Sequence, residues 1–165
     1  MKPRISRKND AEDWRLTHLG RVLGHAMRRF DARVLSLMAH DVQVPLVLSN
    51  LAAKAQISAA HIHLTRHLPL QGTRLVDLAQ SAGMSKQAMA SLVAQCEAWG
   101  LVTKVSDRSD ARAKTIVFTH LGLEWLEGFA RAVRQAEAEF AQEVGADIAT
   151  VVKIGLEAYA HGYAP

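Results

Sequence analysis

Residues 73–122 decide the fold, and they read TRLVDLAQSAGMSKQAMASLVAQCEAWGLVTKVSDRSDARAKTIVFTHLG. A short amphipathic helix at the start of this stretch runs into a turn at Gly83, because glycine tolerates the positive φ that such a reversal needs. Ser85 is well placed to accept a hydrogen bond from the free N–H groups that begin a second helix. That helix continues to about Trp99 and is ended by Gly100.

The second helix is followed by a hairpin pattern. Two β-rich runs, residues 101–105 and 115–119, flank a polar and basic tip at residues 106–114. Two short helices joined by a glycine turn and followed by such a hairpin predict a winged helix-turn-helix, whose second helix enters the major groove of DNA. An ordinary helical hairpin followed by a polar turn is the alternative.

Helical spacing divides the second helix into two faces. Met89, Leu92, Val93 and Cys96 recur at the period of a buried stripe, so the remaining residues of its N-terminal half point outward. Outward residues there are the ones that contact base edges in helix-turn-helix proteins, and hairpin cations suit phosphates or a narrow minor groove. The DNA-contacting candidates are Arg74, Ser85, Lys86, Gln87, Ala88, Ala90, Ser91, Lys104, Arg108, Arg112 and Lys114.

The hairpin motif resembles that of a known family. Asp107-x-x-Asp110-x-Arg112-Ala113-Lys114, followed by Thr119-x-x-Gly122, is similar to the wing of the MarR (multiple antibiotic resistance regulator) family of bacterial transcription factors. The preceding Leu78-Ala79, Gly83-Met84-Ser85 and Glu97-x-x-Gly100-Leu101-Val102 fit the same pattern. The resemblance implies a homodimer in which each subunit presents one winged helix and helices from both chain ends make the dimer contacts.

The chain departs from the family pattern at three positions. The family wing usually has two adjacent arginines, and the first of these positions is Ala111; the recognition helix often has arginine where this chain has Ser91 and Gln95. Fewer cations imply fewer phosphate contacts and a shallower salt dependence. Base recognition then depends more on Gln87, whose amide suits adenine N6 and N7, on Ser91, and on apolar contact with thymine methyls.

Charge is distributed unevenly along the chain. The net charge is +4, but residues 54–114 contain eight basic and four acidic side chains, whereas residues 124–165 contain three basic and seven acidic ones. A basic lobe beside an acidic end is typical of a protein that meets DNA on one side only.

Composition excludes several other classes of protein. No apolar run approaches the ~18 residues of a transmembrane helix, and the charged residues 1–14 lack the apolar core of a signal peptide. A single cysteine rules out an intrachain disulfide framework. No nucleophile elbow, phosphate-binding loop, dinucleotide fingerprint or H-E-x-x-H motif indicates an enzyme, and no cofactor is expected. We therefore expect a cytoplasmic protein that is not an enzyme and has no membrane partner.

The flanks of the winged helix are amphipathic and helical. Apolar residues recur at helical spacing from about residue 10 to 39, over residues 46–68 as one helix or as two restarting at Ser58, and from Thr119 to the C-terminus. The predicted fold class is mainly α, a winged helix-turn-helix with a small β-hairpin wing. The predicted divisions are an N-terminal dimerisation region (1–50), a DNA-binding lobe (51–120) and C-terminal dimerisation helices (121–165).

The terminal helices have more apolar face than one small winged helix can cover. Packing across a two-fold axis buries that face and sets two recognition helices about one DNA turn apart. The alternative is a monomer whose terminal helices fold back on their own core.

Three further groups of residues raise functional questions. Trp14, His18, Arg21 and His25 line the first helix and are candidates for binding a small aromatic or anionic effector, although a solvated helix face explains them too. His63 and His67 have the i,i+4 spacing of metal ligands, but His61 lies off their face and no acidic residue or cysteine completes a set, so no metal is expected. Cys96 occupies an inward position, which favours an inert buried thiol over a redox switch.

The sequence thus predicts a sequence-specific DNA-binding transcriptional regulator, a repressor in the simplest case, that binds a pseudo-palindromic duplex as a homodimer and is released by a small ligand. The alternative is a dimeric ligand-sensing or protein-interaction module with a winged helix but weak DNA affinity. Affinity for a specific sequence at physiological salt separates the two predictions.

Overall fold

The computed structural model describes residues 10–53, 56–106 and 113–162, and within them the chain is mainly helical. The helices are α1 (Asp10–Thr17), α2 (Leu19–His40), α3 (Leu46–Ala53), α4 (Ala59–His67), α5 (Leu75–Ser81), α6 (Lys86–Ala98), α7 (His120–Val144) and α8 (Ala146–His161). The strands are β1 (Thr73–Arg74), β2 (Val102–Ser106) and β3 (Lys114–Phe118). The mainly α winged-helix fold expected from the sequence is confirmed.

The strands of the described residues form one antiparallel sheet in the order β1-β3-β2. Val102 lies opposite Phe118 and Ser106 opposite Lys114, so β2 and β3 form the hairpin, each displaced by one residue from its expected span. Thr73 pairs with Ile116 and attaches the start of α5 to this hairpin. The sheet therefore fixes the hairpin to the helix-turn-helix.

The N-terminal helical region is interrupted at His18. This residue is extended (φ −65°, ψ 148°), and its Nδ1 accepts a hydrogen bond from the Arg21 N–H at 3.3 Å, which makes it the N-cap of α2. The single helix that we expected over residues 10–39 is therefore two helices. The apolar period continues through the break, so it gave no sign of the interruption.

The second helical region is also two helices, α3 and α4. Ser58 is the N-cap of α4, which agrees with the expected alternative of a restart at Ser58. Ser58 and His61 form a capping box at the start of α4, in which the Ser58 N–H donates to His61 Nδ1 at 3.1 Å. Each side chain thus satisfies a backbone donor that the first helical turn leaves free.

Helix α7 begins where the Thr119-x-x-Gly122 motif meets the end of α6. Thr119 accepts from the Gly122 N–H at 3.0 Å and donates its hydroxyl to the Gly100 carbonyl. A Cβ added at Gly122 would lie 1.9 Å from the Leu101 carbonyl oxygen, so only glycine permits this approach. One local motif therefore caps α7 and packs it against the hairpin.

The core runs between the helix-turn-helix and the longer helices. Trp125 of α7, Met38 of α2 and Leu48 of α3 are among its largest fully buried side chains. Two ion pairs join α2 to α7: Arg29 binds Glu143, and Arg33 binds Glu139. Asp31 of α2 binds Arg66 of α4 at 2.5 Å.

Helix α8 packs against α7, yet no residue of it is buried. Val151 is 70% exposed and Tyr159 is 81% exposed, and other apolar side chains of the same helix are exposed as well. Within the described residues, no helix has both the length and the apolar character needed to cross a membrane. A single copy of the chain therefore leaves a large apolar helix face uncovered.

Candidate nucleic-acid interface

Helices α5 and α6 form the helix-turn-helix, and local interactions set the turn between them. Gly83 has φ +62°, and a Cβ there would meet no atom within 4 Å, so backbone conformation alone favours glycine. Ser85 is the N-cap of α6, and its hydroxyl accepts from the Ala88 N–H at 3.2 Å. Gly100, with φ +74°, follows the end of the helix. The turn chemistry expected from the sequence is present.

The two faces of α6 divide as its spacing predicts. Its inward residues, Met89, Leu92, Val93 and Cys96, are buried in the core. Ser85, Lys86, Gln87, Ala88 and Ser91 are exposed, and Ala90 is half-buried. The exposed residues cover the N-terminal half of the helix and form a polar strip, which we call the α6 outer face.

The hairpin carries cations on the face that packs against α6. Lys104 lies opposite Ile116, and Lys114 lies opposite Ser106, so both lysines share the face of the buried Val102 and Ile116. Lys104 Nζ lies 2.6 Å from Glu97 Oε2 of α6, and Lys114 Nζ donates to Ser106 Oγ at 3.1 Å. Part of the Lys104 charge is therefore neutralised within the protein.

The three candidate arginines for DNA contact do not lie on this face of the hairpin in the described residues. Arg74, the N-cap of α5, pairs with Thr115, which puts it on the opposite face of the sheet from Lys104. It lines a depression of about 680 Å³ beside Asp77 and Val105. Arg108 and Arg112, expected at the hairpin tip, lie outside the described residues.

Comparison with known proteins agrees with this geometry. Residues 62–113 match the sequence model of the MarR family. This span contains α5, α6 and β2. Over this span the chain is similar to the MarR family. No curated protein sequence matches the chain.

Solved structures of MarR-type regulators share the fold over nearly the whole chain. The transcriptional repressor CouR, bound to a 23-mer DNA duplex, has a TM-score of 0.62 at 18% identity over 96% of this chain and 99% of that one. CouR from Rhodococcus jostii, bound to p-coumaroyl-CoA, has a TM-score of 0.64 at 16% identity over 90% and 95%. A cysteine-to-serine mutant of MarR from E. coli has a TM-score of 0.64 at 16% identity over 87% and 97%. At these identities the likeness establishes the fold.

Gln95 of α6 makes its contacts within the protein. Its Oε1 lies 3.1 Å from His61 Nε2, and its Nε2 lies 3.4 Å from both the Ser91 carbonyl and the Ser91 hydroxyl. Sequence reasoning had placed Gln95 among the positions that reach DNA in the family. It missed both the His61 contact and the Glu97–Lys104 pair, because spacing along the chain does not reveal partners 34 or 7 residues away.

The single cysteine of the sequence lies on α6 and is inaccessible to solvent. Cys96 is 2% exposed, and burial raises the pKa of its thiol to about 12. A thiolate is the reactive form, so a pKa this high disfavours oxidation. The structure thus supports the inert thiol over the redox switch.

The effector candidates cluster only in part. Trp14, His18 and Arg21 line an open depression of about 430 Å³ together with Arg15 and Leu16, at the junction of α1 and α2. The rings of Trp14 and His18 have centroids 5.7 Å apart. His25, the fourth candidate, is not part of its lining. Three of the four residues therefore meet at one concave surface.

The α4 histidines are engaged with protein groups. His63 Nε2 lies 2.8 Å from the carbonyl oxygen of Ala82, in the turn of the helix-turn-helix, and the rings of His63 and His67 are 4.5 Å apart. Within the described residues there is no group of three or more side chains suited to hold a metal ion. His63 therefore connects α4 to the turn between α5 and α6.

Proposed function

We propose that this chain is a sequence-specific DNA-binding transcriptional regulator, acting as a repressor and binding a pseudo-palindromic duplex as a homodimer. The observation that carries the proposal is the α6 outer face, an exposed polar strip at the start of a capped helix, beside a hairpin face bearing Lys104 and Lys114. An exposed polar face at the start of a helix suits the major groove, and the hairpin cations suit the phosphates.

The comparisons support the same proposal. One similar structure is that of a transcriptional repressor bound to a DNA duplex, and another is that of an S. aureus MepR mutant bound to an oligodeoxyribonucleotide. In this proposal residues 51–120 form the DNA-binding lobe, and residues 1–50 and 121–165 form the dimer. The boundary at residue 50 falls inside α3, so it marks a division of function and not a break in the fold.

A small aromatic or anionic effector forms the second part of the proposal. The concave surface of Trp14, His18 and Arg21 offers an aromatic ring and a guanidinium side by side, which suits an aromatic carboxylate. A similar structure holds p-coumaroyl-CoA, an aromatic and anionic molecule. An effector response that survives Arg21→Ala would argue against this site.

A second candidate function is a ligand-sensing or protein-interaction module with weak DNA affinity. Two contacts favour it, because Lys104 is paired with Glu97 and Gln95 is turned toward His61. Both reduce the number of groups available to DNA. The same binding experiment separates the two candidates.

The deciding experiment is fluorescence anisotropy with the DNA upstream of the protein's own gene and a scrambled duplex, at about 50 and 200 mM salt. A specific regulator prefers the upstream DNA, or a duplex selected from genomic fragments, by roughly a hundredfold or more and weakens with salt. Equal weak binding to all of these duplexes would favour the interaction module.

Two variants refine this measurement. We expect Arg112→Ala to weaken binding to all duplexes alike and to lower the salt slope by about one unit, because a phosphate contact carries no sequence information. Gln87→Ala should instead change the base preference, by roughly 1–3 kcal/mol at one position. An Arg112→Ala protein with unchanged affinity and salt slope would remove the hairpin from the interface.

A further inference from the structure

A buried histidine joins α4 to the recognition helix. His61 is 6% exposed, and its ring reaches partners on both sides. Nδ1 lies 3.1 Å from the Ser58 backbone nitrogen and 2.9 Å from the Ser58 hydroxyl, while Nε2 lies 3.1 Å from Gln95 Oε1. The ring also packs against Trp99, with centroids 4.7 Å apart. Each ring nitrogen therefore has a hydrogen-bond partner.

These contacts fix one tautomer. The Ser58 N–H can only donate, so Nδ1 must carry a lone pair. The proton of the neutral ring is then on Nε2, which donates to Gln95 Oε1. Protonation adds an N–H at Nδ1, which faces the Ser58 N–H and can donate only to the Ser58 hydroxyl at 2.9 Å. The part-buried Ser58 N–H then loses its acceptor.

The hydrogen bonds lead from the core to the α6 outer face. Gln95, held through its Oε1, directs its Nε2 toward the Ser91 carbonyl and hydroxyl at 3.4 Å. Ser91, a candidate base contact, then has its hydroxyl proton free to donate outward. His61 therefore fixes both the position of α6 relative to α4 and the donor direction of a DNA-facing side chain.

We propose that His61, as the neutral Nε2–H tautomer, is a positioning residue for DNA recognition, and that its protonation loosens α6 and weakens DNA binding in acid. This inference rests on the proposed DNA-binding function. It assigns Gln95 to holding the recognition helix and not to contacting DNA.

The electrostatic surroundings agree with a neutral ring. Burial lowers the pKa of His61 below its usual 6.5, and the Gln95 hydrogen bond offsets this in part. The unfolded chain takes up this proton near 6.5 and the folded chain only at lower pH, so the cost to the folded arrangement grows as pH falls below 6.5. Helices α2, α5 and α6 pack against α4. Among the charged or titratable residues that these helices carry are Asp31, which is paired with Arg66 of α4, Asp77, Cys96, and Glu97, which is paired with Lys104, and none of them is a cause of the His61 shift. In this part of the chain, burial and Gln95 set the pKa of His61.

Three variants test the proposal. His61→Gln keeps an uncharged N–H donor at similar reach, His61→Phe keeps only the ring packing, and His40→Gln removes an exposed histidine whose Nδ1 contacts the Ser36 carbonyl of its own helix. The affinity for the best duplex is measured from about pH 7.5 to 5.5. Other histidines gain charge in acid and favour phosphate binding, but that effect is common to all variants, so differences between variants isolate His61.

We expect the DNA affinity of the wild type and of His40→Gln to fall in acid by roughly fivefold more than that of His61→Gln. This factor corresponds to the usual free-energy contribution of one hydrogen bond. His61→Gln should stay near wild-type affinity at neutral pH, and His61→Phe should be roughly fivefold weaker throughout. A His61→Gln protein with the wild-type pH profile, or a His61→Phe protein with wild-type affinity, would overturn the proposal.

Measurements on the free protein keep this test apart from the proposed function. The ¹⁵N shifts of the His61 ring give its tautomer and pKa, and amide exchange along α6 reports whether the helix loosens as the ring titrates. A protein that binds no DNA at any pH would refute the proposed function. An Nδ1–H tautomer, or α6 amide protection relative to the intrinsic exchange rate that stays constant as the ring titrates, would refute the role of His61. If both His61 variants unfold, Gln95→Leu on the exposed side of the contact replaces them. We expect it to weaken DNA binding roughly fivefold and to speed α6 exchange, and unchanged values of both would overturn the proposal.

Discussion

At the scale of single residues, the Glu97–Lys104 pair sets how much positive charge the hairpin would offer to DNA in the proposed function. Both side chains are 39% exposed, and their charged atoms lie 2.6 Å apart. An exposed pair of this kind adds little to stability, since solvent screens it. Its larger effect is on the potential beside α6, where a carboxylate opposes an approaching phosphate.

We predict that Glu97→Gln strengthens DNA binding and steepens its salt dependence by about one unit, because Lys104 is released to contact a phosphate. Anisotropy titrations at several salt concentrations measure both quantities. The matched control is Lys104→Gln, which should shift affinity and slope in the opposite direction. Equal slopes for Glu97→Gln and wild type would show that Lys104 does not contact DNA.

At the scale of secondary-structure elements, α2 and α7 are joined by two arginine–carboxylate pairs one helical turn apart. Arg33 binds Glu139 through Nε and one terminal nitrogen, at 2.7 and 2.8 Å. Arg29 binds Glu143 through both terminal nitrogens, at 2.9 and 2.7 Å. The paired geometry fixes the rotation of each helix about its axis as well as its distance.

The pKa of Glu139 predicts how this contact responds to acid. The hydrogen bonds from Arg33, and then from Gln135, lower that pKa from 4.5 to about 2. Because the folded-state pKa is depressed, the stabilisation is complete above 4.5 and is lost as pH falls toward about 2. We predict that the thermal midpoint of wild type falls more steeply over this range than that of Glu139→Gln. Circular dichroism melts measure the thermal midpoint at each pH, and Glu127→Gln, at an exposed carboxylate of the same helix, is the control. Parallel curves of midpoint against pH for wild type and Glu139→Gln would contradict the lowered pKa of Glu139.

At the scale of the whole molecule, the uncovered apolar face of α8 is the surface that the proposed homodimer would bury. Ile148, Val151 and Tyr159 are all more than half exposed, although α8 packs against α7 along one side. Trp14, Leu16 and Leu19 at the other end of the chain are also more than half exposed. Apolar surface of this extent is unfavourable in water, and a second copy covers it without requiring a different partner.

We predict that Val151→Asp gives a folded monomer, because it places a charge in an interface that the monomer exposes to water. Sedimentation at several protein concentrations measures the mass, and circular dichroism measures retention of the fold. Affinity for a two-site duplex should fall by more than tenfold, since each monomer then binds a single half-site. Glu157→Gln on the same helix should remain dimeric, and a wild-type protein that sediments as a monomer at all concentrations would exclude this assembly.

The sequence by itself determined the features that depend on neighbouring residues. The cap at Ser85, the positive φ of Gly83 and the Thr119 cap of α7 follow from contacts within a few positions, and the inward stripe of α6 follows from its helical spacing. Such contacts are fixed by the chemistry of a single turn, so a pattern of residue types is enough to predict them. The winged helix and its candidate DNA face were therefore predictable.

The tertiary structure decided what depends on distant residues. The break at His18 was hidden because the apolar period runs through it. His61 meets Gln95 across 34 positions, and Arg33 meets Glu139 across 106, so no spacing rule connects them. The assignment of Gln95 to His61 arises only when α4 and α6 pack together, because burial removes water as the competing hydrogen-bond partner.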